Sequence, residues 1–156
     1  MSPEQISATR NIPAPAADIF AILADPARHH DTEPSDWVRE AVDAEPITAV
    51  GQTFNMNMYL QQIGGAYVME NLVSVFEPDR AIAWRPGMVG PDGTATPGGW
   101  QWRYDLTPGD GETEVTLTYD WSEATPEARA NVPQWPPFPQ SYLEKSLAAL
   151  ERAATS

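Results

Sequence analysis

The sequence predicts an α+β domain: a curved antiparallel sheet of about seven strands, two short helices after the first strand, and one long C-terminal helix against the sheet. Strict alternation is the first sign. Phe54, Met56, Met58 and Leu60 alternate with Asn55, Asn57, Tyr59 and Gln61, the period-two pattern of a strand with one buried and one wet face. Trp100, Trp102, Tyr104 and Leu106 do the same, as do Val115, Leu117, Tyr119 and Trp121. The second sign is the brevity of the connections, at Gly64-Gly65, Pro78-Asp79 and Asp110-Gly111. Turns this short imply antiparallel neighbours, since a parallel pair needs a crossover of about a dozen residues. The third is the chain after Pro139, where Tyr142, Leu143, Leu147, Leu150 and Ala153 form one helical stripe uninterrupted by Gly or Pro.

In chain order, a strand is expected over Glu4–Asn11, ended by Pro13 and Pro15, with Pro15 suited to a first helical turn. Ile19, Phe20, Ile22 and Leu23 then mark a short amphipathic helix. Asp25-Pro26 reads as an N-cap and first turn for a second short helix through Ala27–His30. A weaker strand near Asp36–Asp43 precedes the strand at Phe54. Ala66–Phe76 and Ala81–Arg85 follow as strands, and the Gly- and Pro-rich stretch Pro86–Gly99 reads as a loop. The approach to the last helix, with Pro133, Pro136, Pro137 and Pro139, is expected to be irregular.

Length and composition bound the function. At 156 residues the chain is one domain's worth, and 42% hydrophobic content with six Trp is enough for a core. The formal charge of −13 disfavours nucleic acid and anionic membrane surfaces. Without cysteine there is no thiol catalysis, disulfide or Cys-ligated metal. The opening Met1-Ser2-Pro3-Glu4 lacks the basic-then-apolar pattern of a leader, and no apolar run reaches the roughly 20 residues of a membrane helix. A soluble, cytoplasmic protein, monomer or homodimer, is expected.

Several segments carry a resemblance to a known family. Ile12-Pro13-Ala14-Pro15 leads into Ile19-Phe20-Ala21-Ile22-Leu23-Ala24-Asp25-Pro26-Ala27-Arg28-His29. Glu77-Pro78-Asp79-Arg80-Ala81-Ile82-Ala83-Trp84 forms a second segment, and Trp102–Pro108 with Gly111 and Thr113–Thr116 a third. With the order of elements, they resemble the START/SRPBCC superfamily, the helix-grip fold of the polyketide cyclase/dehydrase and lipid-transport type. The resemblance covers nearly the whole chain and implies a cavity between the sheet and the final helix. It is specific for fold and poor for function, since members of the superfamily bind lipids, sterols and polyketides, cyclise polyketides, or only mediate contacts. One departure is Asp31–Trp37, which lacks the glycine common there in the nearest sub-branch and adds Pro34 and Trp37.

The expected ligand is a small hydrophobic molecule: a polyketide, lipid or aromatic compound. Its wall is built from the inward positions of the alternating strands: Phe54, Met56 and Met58, then Trp100 and Trp102, then Tyr119 and Trp121. Trp84, Phe138 and Ser146 join this set. In Ala66–Phe76 parity decides. If Tyr67, Met69, Val73 and Val75 face inward, as preferred, Asn71 is inside and Glu70 wet; the opposite parity puts Glu70 among apolar side chains, where its pKa rises and suits an acid. For the alternative of a cyclase or dehydratase, Tyr104 and Tyr142 are inward phenols, His30 stands at the bend, and Glu70 depends on that parity. Gln62 is a further possible hydrogen-bonding contact at its strand's end. A ligand-free interaction module with an acidic surface is the second alternative. Neither metal nor cofactor is expected: the adjacent His29 and His30 point apart on a helix, and Gly109-Asp110-Gly111-Glu112 is explained by a hairpin turn. Arg103 and Asp105 read as an outward ion pair.

Overall fold

The first strand, β1 (Gln5–Ile12), ends at the Pro13–Pro15 segment and gives way to α1 (Ala16–Leu23). In this computed structural model, residues 4–32, 38–42, 45–60, 65–90, 92–131, 136 and 139–155 are described. Asp25 accepts a hydrogen bond from the Ala27 amide (3.1 Å), and the expected second helix forms as a 3₁₀ turn, Pro26–Thr32. Strands β2 (Val38–Ala41), β3 (Thr53–Leu60), β4 (Gly65–Glu77), β5 (Ala81–Val89), β6 (Ala95–Pro97), β7 (Gln101–Pro108) and β8 (Thr113–Asp120) follow. Helices α2 (Pro126–Asn131) and α3 (Gln140–Thr155) end the chain. The expected antiparallel sheet of seven strands is present in the order β1-β8-β7-β5-β4-β3-β2, with the short β6 beside β5.

Three features differ from what the sequence predicts. Residues Pro86–Gly99 are not a loop throughout: β5 runs on to Val89 and turns back into β6, with the Gly90 amide bonded to the Thr94 carbonyl (3.0 Å). Pro86 is tolerated because it falls where β5 changes neighbours. Pairing with β7 ends at Trp84↔Trp102 and pairing with β6 begins at Gly87↔Pro97, so its missing N–H interrupts no ladder on that side. The second difference is a register shift between Val73 and Val75. Beyond this bulge the faces exchange, since one extra residue moves all later side chains across the sheet. Phe76 thereby takes the inward place expected for Val75, its ring 5.4 Å from that of Phe20. Helix α2 was not expected; Thr125 Oγ1 accepts from the Ala128 amide at its start (3.1 Å).

Helix α3 covers the β1 side of the inner face with Leu143, Ser146, Leu147, Ala149 and Leu150. Hydrogen bonds fix its position: Ser146 Oγ donates to the Thr32 carbonyl (2.7 Å) and Arg28 to the Ala153 carbonyl (3.4 Å). At the surface Arg10 pairs with Glu151 (2.7 Å). Among the described residues no helix is long and apolar enough to cross a membrane.

The entry to β7 depends on glycine. Gly99 has φ +95°, and a Cβ there would lie 1.9 Å from the Glu123 carbonyl oxygen, a backbone atom that cannot step aside. Gly99→Ala is therefore expected to cost about 2–3 kcal/mol, read as a lower urea midpoint; an unchanged midpoint would contradict this account of the turn.

Candidate functional site

Strand register lays the inner side chains out in rows. One row crosses the sheet as Ile6, Tyr119, Trp102, Trp84 and Val73, each the direct partner of the next. Directly opposed residues share a face, so these side chains form a continuous apolar band. A second row is Met56, Met69 and Met88, on β3, β4 and β5. Met58 lies two residues along β3 on the same face, opposite Tyr67. All four internal methionines thus share one patch. Phe54 and Asn71, partners on β3 and β4, lie between the two rows.

Two groups of aromatic rings lie along these rows. Trp102 touches Tyr119 (centroids 4.6 Å apart) and Tyr142 of α3 (6.4 Å), and Tyr119 touches Trp121 (5.8 Å). Trp84 touches Phe54 edge-on (5.4 Å), lies 6.0 Å from Tyr104, and stacks on His29 (5.0 Å, planes 19° apart). His29 also meets Phe54 edge-on at 5.2 Å. Such pairs each add about 0.5–1.5 kcal/mol beyond the area they bury. Trp100 packs against the same core from the start of β7.

The histidine that enters the core is His29, not the expected His30. It is 6% exposed, whereas His30 is exposed beside Asp31, 3.3 Å away. His29 Nε2 lies 2.7 Å from the Leu23 carbonyl oxygen. A carbonyl only accepts, so Nε2 carries the proton and Nδ1 keeps its lone pair. Burial lowers the pKa of His29 from 6.5 to about 4, against smaller upward pulls from the Leu23 carbonyl and the Asp25 charge. The ring is neutral at physiological pH.

The remaining expected site residues divide by face. Phe54, Met56, Met58, Asn71, Tyr104, Tyr119, Trp121 and Ser146 are buried on the inner side; Trp84, Trp100, Trp102 and Tyr142 are half-buried and pack against the core. Ser146 spends its hydroxyl on the Thr32 carbonyl. Glu70 takes the face opposite Asn71 and is half-buried, so it does not join the inner wall. Phe138 and Gln62 lie outside the described residues. Arg103 and Asp105 pair on the outer face, with Nε 3.0 Å from both carboxylate oxygens. Burial raises the pKa of Tyr119, which keeps it a phenol. No group of three His, Asp or Glu side chains able to hold a metal occurs among the described residues. A cleft of about 330 Å³ runs between β1 and α3, lined by Ser7, Ala8, Thr9, Arg10, Gln140, Glu144 and Leu147; none of the expected ligand contacts lines it.

Residues 3–155 match the family described as polyketide cyclase / dehydrase and lipid transport. The chain belongs to this family. Family membership and the observed sheet-and-helix arrangement agree in giving a helix-grip, SRPBCC-type domain. Among solved structures of the same fold, protein CV1439 from Chromobacterium violaceum superposes with a TM-score of 0.70 at 18% identity, covering 99% of both chains. Protein Ms6760 from Mycobacterium smegmatis gives 0.67 at 20% identity, over 97% of this chain and 89% of that one. DynU16, a protein of the dynemicin biosynthetic locus, gives 0.61 at 16% identity, over 97% of this chain and 47% of its own. The uncharacterized protein Rv0088 of Mycobacterium tuberculosis is 31% identical over 125 residues, 78% of this chain and 50% of that protein. The chain thus spans about half the length of the curated relatives it matches.

The depressed pKa of His29 has a thermodynamic signature. A group whose folded pKa lies below its unfolded one contributes stability that is complete above the unfolded pKa and is lost as pH falls toward the folded one. Between pH 6.5 and about 4 the protein should lose on the order of 3 kcal/mol through this ring. Urea unfolding of wild type and His29→Phe across that range isolates the effect; parallel pH profiles for the two proteins would contradict the burial of a neutral imidazole.

Proposed function

We propose that the protein binds a small, largely apolar molecule against the inner face of its sheet, with the methionine row Met56–Met69–Met88 as the adaptable part of the wall and the Trp84 and Trp102 rings as the rigid part. The observation that carries this reading is the exposure of the row's end. Met88 is 43% exposed, although its register partner Met69 is buried on the same face. An apolar band that runs from a sealed core to a solvent-facing margin offers an entry along the row. Unbranched thioether side chains re-pack around ligands of differing shape at low cost. Membership of a family that takes its description from polyketide chemistry and lipid transport supports the same reading, as does the fold shared with a protein of the dynemicin locus.

Carriage is better supported than turnover. Of the residues considered for acid or base work, Tyr104 and Tyr142 belong to the inner aromatic groups, while His30 and Glu70 stand away from them. Cyclase or dehydratase chemistry on the same wall would rely on the two phenols.

Titration with a neutral naphthyl probe, followed by tryptophan fluorescence, should show a saturable change. Native mass spectrometry should find a small molecule retained on the purified protein. Met88→Gln should weaken probe binding about fivefold with little loss of stability, because that side chain is half in water already. Absence of saturable binding across neutral apolar probes would refute the reading.

A further inference from the structure

Two buried polar side chains adjoin Phe54, and among the described residues each has hydrogen-bonding capacity left unused. His29 meets that ring edge-on and donates through Nε2 to Leu23; among the described residues its Nδ1 accepts no hydrogen bond. Asn71 is 5% exposed and sits directly opposite Phe54. Its one hydrogen bond among the described residues runs from Nδ2 to the Phe54 carbonyl, at a long 3.4 Å. The carboxamide oxygen and the second N–H have no partner among those residues. Buried polar groups in folded proteins are nearly always paired, and each unpaired one carries a desolvation cost. Packing alone would be served better at both positions by apolar side chains of similar size.

We infer that the bound molecule carries a hydroxyl, phenolic or enolic, that donates to His29 Nδ1, and a second oxygen beside it that meets the Asn71 carboxamide, with its apolar skeleton lying along the methionine row. This rests on the ligand-binding reading above and specifies its chemistry. The protonation state sets the polarity of the match. A neutral imidazole with its proton on Nε2 offers only a lone pair at Nδ1, so the ligand must bring the hydrogen; a ketone or ether alone leaves that nitrogen unmet. Asn71 offers both a donor and an acceptor and accommodates either a carbonyl or a second hydroxyl. A carboxylate fits poorly: the rings around His29 are the uncharged Trp84 and Phe54, and the chain as a whole has a formal charge of −13. The position of the pair also suits the shape of such a ligand. Asn71 is two residues from Met69 along β4, and Phe54 two from Met56 along β3, so the polar point adjoins the start of the methionine row.

The test compares 2-naphthol with 2-methoxynaphthalene, which has the same skeleton and no donor. Wild-type protein should bind 2-naphthol about tenfold more tightly. In His29→Phe the preference should vanish while 2-methoxynaphthalene still binds. The nitrogen resonances of the imidazole in ¹⁵N-labelled wild-type protein give a readout that does not depend on the variant folding. The unprotonated Nδ1 signal of His29 should move on saturation with 2-naphthol and stay in place with the methyl ether. Equal affinities for the two probes, or a His29 Nδ1 signal unmoved by bound 2-naphthol, would overturn this inference alone. Failure of both probes to bind would overturn the ligand-binding reading, and this one with it.

Discussion

A sheet of seven strands has one face to keep from water and only one long helix to cover it. Much of the structure follows from that shortfall. Helix α3 lies over the β1 side and the 3₁₀ turn, and it brings mostly Leu and Ala. The sheet supplies the remaining bulk from its own inner face, with indoles and phenols on β5, β7 and β8 and methionines on β3, β4 and β5. The 3₁₀ turn completes the closure by inserting a ring between strands and helix. Its hold is a sequence of three short hydrogen bonds: Ser146 to the Thr32 carbonyl, Thr32 Oγ1 to the His29 carbonyl, and His29 Nε2 to the Leu23 carbonyl, each 2.7 Å. These link α3, the turn and the end of α1, and they satisfy backbone oxygens that would otherwise be buried without a partner.

The inner face consequently has two characters. Around Trp102 and Trp84 it is made of flat, stiff rings held by one another. Toward Met56, Met69 and Met88 it is made of side chains with three rotatable bonds each. Phe54, His29 and Asn71 lie at the boundary. Such a division would give one end of the proposed guest a fixed geometry and the other end latitude, a combination suited to orienting a polar group while tolerating variation elsewhere.

Most of the architecture was legible in the chain because strand alternation and short turns depend on local chemistry. The inner identities of Phe54, Trp102 and Tyr119 follow from parity alone, whereas for Asn71 and Glu70 the sequence leaves both parities open and the pairing of Asn71 with Phe54 decides for Asn71. The exceptions have a common cause: they are set by what lies across the sheet. Pro86 looks like the end of a strand until the exchange of β7 for β6 beside it is known. The bulge at Ser74 reverses the parity of Val75 and Phe76 and leaves no mark in the sequence. Met88 belongs to the wall only through its pairing with Met69. His29 and His30 are adjacent and chemically identical, and which of them enters the core depends on the angle at which the 3₁₀ turn meets α3. A sequence signal did exist for His29, since Leu23 and Pro26 fix the start of that turn, but it does not specify rotation.

The methionine row has a practical side. The chain has five methionines, one of them Met1, and the other four share a single surface. Labelling their terminal methyl carbons would give a spectrum in which every internal reporter views the same wall. The same concentration makes that wall the place where peroxide would first be felt, because sulfoxide formation turns an oily lining into a polar one without touching the strands that carry it.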